Sequence, residues 1–168
     1  ASLRKPRAIL MISAHWLTRG TALHLSPKPK TIHDFRGFPP ALFAFQYPAP
    51  GAPELFASVA SALAPTTLFR DEQWGLDHGA WSILAHMFPN ADVPVAQLSM
   101  DVSLDEAGHY ALGQKLRELR EQDVLIIGSG NVVHNLGMMR TATGGPEYDW
   151  ARRFDTHVRQ ALMQREHH

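Results

Sequence analysis

Hydrophobic and polar positions divide this chain into alternating strand-like and helix-like segments. Ala8 to Ile12 and Val124 to Ile127 are continuous apolar runs rather than alternating ones, and Val93 to Met100 is a largely apolar run interrupted by Gln97 and Ser99. Such runs read as strands buried on both faces and paired in parallel. Helical patterns lie between them: Pro53 to Ala64, with a proline suited to the first turn, and Gly79 to Phe88, stopped by Pro89. A third helix is expected from Ser103-Leu104-Asp105-Glu106, which reads as a Ser-x-x-Glu capping box, with Leu112, Leu116 and Leu119 on one face. A last helix carries Ala151, Phe154, Val158, Ala161 and Leu162 at spacings of three and four. This alternation predicts an α/β fold, a central mostly parallel sheet with helices on both faces and right-handed crossovers. Pro39-Pro40 and Tyr47-Pro48-Ala49-Pro50-Gly51 mark irregular loops, where binding residues tend to sit.

Composition narrows the picture. At 168 residues the expectation is one catalytic domain over 1–168. Sixteen basic residues balance sixteen acidic ones, so no broad positive field collects phosphates, and nucleic acid is not expected as a partner. The absence of cysteine removes disulfides and thiolate metal sites together, leaving nitrogen and oxygen as the available metal ligands. Ala8 to Ile12 is the longest apolar run and is far short of the ~20 residues a membrane span needs. Although Arg4, Lys5 and Arg7 precede it, no convincing cleavage site follows. The run reads as a buried strand in a cytoplasmic protein with no membrane partner. The chain opens at Ala1 and closes on the charged stretch Gln164 to His168, so both ends are expected to be cut.

Ten histidines then become the informative inventory. In open α/β sheets ligands bind beyond the carboxyl ends of the strands. His15 follows the first strand in Ser13-Ala14-His15-Trp16, and His134 follows another after the tight turn allowed by Gly128-Ser129-Gly130. Each taken singly also reads as an ordinary hydrogen-bonded histidine; two on one sheet edge suggest a shared site. His78, where a loop enters a helix in Gly75 to Trp81, is a further candidate, with helix capping by Asp77 as the alternative. Gly128-Ser129-Gly130 lacks the lysine and spacing of a phosphate loop, and Asn131 occupies the fifth position of a would-be Gly-x-Ser-x-Gly elbow.

A series of motifs appears in order: Ile12-Ser13-Ala14-His15-Trp16, Ile32-His33-Asp34-Phe35, Gly37-Phe38-Pro39, Tyr47 to Gly51, Gly75 to Trp81, Pro94 to Ser99 and Gly128 to Leu136. From about Arg7 to Phe154 the chain resembles the 4,5-DOPA extradiol dioxygenase family, within the class III extradiol superfamily that includes the catalytic subunit of protocatechuate 4,5-dioxygenase. The resemblance implies a mononuclear ferrous centre, often found with zinc in crystals, that opens a DOPA-like catechol ring with O2. It implies His15 as a metal ligand, His134 as a further ligand or the acid/base, and His78 as a pocket residue. No substrate-binding residue is singled out. Family members also carry a Gly-His-Gly-Ser-Pro type motif near their start and a Pro-Thr-Pro-Glu-His type segment near their end; neither occurs here. The chain is thus expected to supply at most half of the metal shell. Two other readings stand beside it: a zinc hydrolase using the same strand-end histidines, and an inactive truncated homologue.

Overall fold

The first apolar run forms the start of β1 (Ala8–Thr18), where Ala8, Ile9, Leu10 and Met11 are all fully buried. A strand without an exposed face needs a layer on each side. In this computed structural model, which describes residues 4–138 and 146–166, the chain forms two compact units, Ala1–Gly130 and Asn131–His168. The first contains the sheet.

Along that first unit run β2 (Thr21–His24), β3 (Lys30–Thr31), α1 (Pro40–Ala44), α2 (Leu55–Leu63), β4 (Leu68–Asp71) and β5 (Gly75–Leu76). They are followed by α3 (His78–Met87), β6 (Val95–Asp101), α4 (Glu106–Lys115), a 3-10 turn (Leu116–Gln122) and β7 (Val124–Ser129). The second unit holds a short 3-10 turn (Leu136–Met138) and α5 (Asp149–Gln164), the last expected helix.

Five strands form one sheet in the order β4-β2-β6-β1-β7. β1 is paired in parallel with β6 on one side and β7 on the other. β2 and β4 are parallel to each other, and the β2–β6 junction is antiparallel. The mostly parallel α/β sheet expected from the apolar runs is therefore present, with β2 and β4 added at one edge. Their four-residue lengths are too short to give a period of their own.

Alternate residues of β1 feed two separate cores. Ala8 and Leu10 pack with Leu55, Val59 and Leu63 of α2 and with Leu116 and Leu119. Ile9 and Met11 pack with Ala80, Trp81 and Leu84 of α3. Helices thus cover both faces of the sheet. The start of α4 departs from the expected capping box: its N-cap is Asp105, whose carboxylate accepts from the Gly108 N–H at 2.8 Å. Ser103 is occupied elsewhere, because its hydroxyl and backbone N–H both donate to Asp101 at the end of β6.

Truncating the shared strand should be costly. Leu10→Ala is expected to lose about 2–5 kcal/mol in a urea titration, the range for a large-to-small change in a packed core. A second expectation concerns His24, 1% exposed on β2, whose Nδ1 lies 3.4 Å from the Asp71 carboxylate. Burial holds its pKa below the ordinary 6.5, outweighing the raising effect of Asp71. The unfolded chain therefore takes up this proton first as pH falls, so stability should be full above about pH 6.5 and decline below it. His24→Gln should flatten that acid-side decline in denaturation midpoints; an unchanged slope would exclude His24 as its source.

Candidate active site

The ladder around β1 changes before the strand ends. Pairing with β7 stops at Ser13, and the register with β6 shifts between Ile12 and Leu17. His15 lies inside this interrupted stretch rather than past the strand end as expected, because β1 resumes pairing through Leu17 and Thr18. The shift matters more than the strand boundary: it frees the backbone around His15 from regular pairing. The Ser13 hydroxyl accepts from the His15 N–H at 3.2 Å. Next to it, the buried Trp16 stacks on Trp74 with ring centroids 5.5 Å apart.

His78 arrives from α3, of which it is the first residue. Asp77 caps that helix, as the alternative reading had it, by accepting from the Ala80 N–H at 3.1 Å. Its second oxygen accepts from the Gln97 side-chain amide of β6. Asp77 and Gln97 are both fully buried, so the start of α3 is fastened to the middle of the sheet by a dry hydrogen-bonded carboxylate. Capping and a place in the site are compatible here, since Asp77 caps while His78 projects. Gly79 allows the approach. A Cβ at that position would lie 2.5 Å from Ser13 Oγ and 2.8 Å from His15 Cδ2.

A third residue joins them through a small second sheet. β3 and β5 pair in parallel, with Lys30 opposite Gly75 and Thr31 opposite Leu76. The two strands therefore leave the pairing at the same end, which sets Asp34 beside His78. A side chain at Gly75 would collide with the Lys30 carbonyl. Asp34 Oδ1 accepts from the His78 N–H at 2.9 Å and from His78 Nδ1 at 2.8 Å. Asp34 Oδ2 lies 3.7 Å from His15 Nδ1, and the two imidazole centroids are 4.0 Å apart. Partial burial pushes the Asp34 carboxyl up, but the hydrogen bonds from the backbone and ring of His78 outweigh it and hold its pKa below the ordinary carboxylate value. Asp34 is thus an anion between two imidazoles.

His15, Asp34 and His78 each offer a ligand atom within 4.8 Å of the others. Two imidazoles and one carboxylate, without thiolate, suit ferrous iron or zinc, so these residues fit a divalent metal. Asp34 was not among the expected site residues. Its signal lay in Ile32-His33-Asp34-Phe35, a carboxylate set among aromatic and apolar residues.

Beside His78 opens a cavity of ≈ 570 Å³ whose walls include Phe35, Phe45, Tyr47 and Trp81. Phe35 meets His78 edge-on at 5.5 Å and 87°, and Phe45 lies 5.1 Å from Trp81. Trp81 donates its indole N–H to the Ile32 carbonyl, which fixes the ring.

His134 belongs to the second unit, where it lines a separate cavity with Tyr148, Trp150, Arg152 and Asp155. The described residues place His15 and His78 together, with Asp34 between them.

Comparison with known proteins follows the same line. A family model described as the catalytic LigB subunit of aromatic ring-opening dioxygenase matches residues 1–168. The 4,5-DOPA dioxygenase extradiol of Escherichia coli (strain K12) is 45% identical over 162 residues, covering 96% of this chain and 60% of the relative. The protein of the same name from Beta vulgaris is 44% identical over 162 residues, covering 95% of this chain and 60% of the relative. An uncharacterized protein of Escherichia coli K12, solved by crystallography, superimposes with a TM-score of 0.81 at 40% identity, covering 95% of this chain and 61% of that one. The chain spans about three fifths of the length of these relatives.

The close approach at Gly79 can be tested directly. Gly79→Ala should displace the His15 ring and lower zinc affinity roughly 10- to 100-fold, the range for disturbing the support of a metal ligand, as read by competition with a chromophoric chelator. Alanine ordinarily gains ~1 kcal/mol over glycine inside a helix. A variant that is more stable and keeps its zinc affinity would contradict the crowding described above.

Proposed function

The chain belongs to the family of catalytic LigB subunits of aromatic ring-opening dioxygenases, and we propose that it cleaves the ring of a DOPA-like catechol with O2 at a mononuclear non-haem ferrous centre. The observation that carries this reading is the cluster of His15, Asp34 and His78 beside an aromatic cavity. The relatives from Escherichia coli and Beta vulgaris, both 4,5-DOPA dioxygenase extradiol proteins, point to the same chemistry.

His15 holds the ion, iron(II) for activity, with zinc able to occupy the same nitrogen and oxygen donors. When bound, ferrous iron supplies a Lewis-acidic, redox-active centre for catecholate and dioxygen. The chain's own residues do the rest. Asp34, between the two imidazoles of unit one, accepts from His78 and fixes that ring in the way carboxylates support histidines at metal sites. Because His78 Nδ1 is committed to Asp34, Nε2 is the nitrogen left to exchange a proton with a substrate hydroxyl. His134 serves as a further ligand or as the acid/base that handles substrate protons. The aromatic walls exclude water from the ring and align it face-on or edge-on. We place the protein in the cytoplasm, in keeping with a chain without cysteine. Among the described residues no helix is long and apolar enough to cross a membrane.

The same donors would also suit a zinc hydrolase, and oxygen separates the two. The iron(II)-loaded protein should consume O2 with a catechol and form a yellow product, whereas a hydrolase would work anaerobically. Absence of oxygen uptake across a catechol series would overturn the proposal. His134→Ala should lower kcat by roughly 10²- to 10⁴-fold while substrate binding changes far less. An unchanged kcat would exclude the acid/base role.

A further inference from the structure

The cavity beside His78 has a property that the ring-cleavage reading does not use. Among the described residues that line it, none is aspartate, glutamate, lysine or arginine. Its volume, ≈ 570 Å³, falls within the ~300–1,000 Å³ common for small-molecule sites. α3 contributes His78, Ser82, Ala85 and His86, a set spaced to share one helix face, and the opposite wall is Phe35, Phe38, Leu42 and Phe45. Phe38 is 55% exposed and Phe45 36%, a concentration of open apolar surface that normally marks a binding site. Tyr47, at the back, donates its hydroxyl to the Phe88 carbonyl. Burial, aided by nearby Asp92, pushes its phenol up to about 12, so it stays neutral. The charged group at this end, Asp34, is engaged with His78 and His15.

Resting on the reading above, we infer that this cavity is the subsite for the substituent of the catechol ring and that it selects uncharged apolar substituents over the ammonium and carboxylate groups of a DOPA side chain. His78 joins the two halves: one side of its ring faces His15, and the cavity opens beside it. A catechol whose diol sits at the His15–Asp34–His78 cluster therefore has its substituent directed into the aromatic walls. There an alkyl group gains by leaving water. An ammonium group loses hydration and finds no lining carboxylate; the ring faces attract it by about 0.5–2 kcal/mol, less than an unpaired buried cation loses. A carboxylate finds no lysine or arginine among the described lining residues, only the side chains of His78, His86, Gln46 and Ser82.

The test is anaerobic titration calorimetry of the protein, with and without iron(II), using catechol, 4-ethylcatechol, dopamine, 3,4-dihydroxyphenylacetate and DOPA. 4-Ethylcatechol should bind on the order of tenfold more tightly than catechol, the gain for burying two methylene-sized groups, and more tightly than the three charged compounds. Ser82→Asp, which puts a carboxylate on the α3 wall at an exposed position, should reverse or narrow the preference for 4-ethylcatechol over dopamine while leaving catechol itself much less changed. Dopamine or DOPA binding as tightly as 4-ethylcatechol, or a preference that Ser82→Asp leaves intact, would overturn the inference. Oxygen uptake separates the two ideas. Intact selectivity without uptake removes the ring-cleavage reading and keeps the subsite; uptake with no selectivity removes the subsite and keeps the reading.

Discussion

A strand buried on both faces and paired on both edges constrains everything around it. The first half of β1, Ala8 to Met11, has no side open to water, so its backbone donors and acceptors must be met by β6 and β7 and its side chains by helices above and below. Polar chemistry is excluded from Ala8 to Met11 and becomes affordable only where the ladder loosens. That happens after Ile12, where the register with β6 shifts. His15, next to Ala14, is the first exposed polar residue along this strand.

The second partner is brought there by a buried carboxylate. An ionised group in a dry interior is costly unless its oxygens are satisfied. Asp77 meets that condition by capping α3 with one oxygen and taking the Gln97 amide with the other. The result is directional: α3 begins at one place relative to β6, and His78 begins with it. Gly79 removes the one side chain that would hold the helix away from Ser13 and His15. Packing, capping and backbone approach therefore converge on the spacing of two imidazole rings.

Asp34 then sets the charge. Its hydrogen bonds from His78 favour the carboxylate over the acid, and an anion placed between two imidazoles raises the local preference for a cation. On the other side of His78 the surroundings reverse, from charge to aromatic surface. One residue thus borders both a cation-attracting cluster and an uncharged cavity, a division that suits a substrate with a polar diol at one end and an apolar body at the other.

Much of this was legible in the chain. The apolar runs determined β1 and β6 as buried parallel strands and β7 as a parallel strand, although β7, at the sheet edge, is only half-buried past Val124; the 3.6-residue periodicity placed α2, α3 and α5, because these signals depend on side chains a few positions apart. His78 was legible as a candidate from its position where a loop enters a helix, His15 as a polar residue after an apolar run although it lies within β1 rather than past its end, and Asp77 as a cap from its place before α3. What only the tertiary structure decided involves residues distant in sequence. Asp34 meets His78 across 44 positions, and it does so because β3 and β5 pair in one parallel register that two-residue strands cannot announce by periodicity. Ser103 loses the cap of α4 to Asp105 because Asp101, at the end of a sheet strand, competes for its hydroxyl. The aromatic cavity likewise arises from segments around Phe35, Phe45 and Trp81 that meet only after folding. Local patterning specifies which segments form and which face is buried; the contacts that make a site depend on how the closed chain stacks those segments.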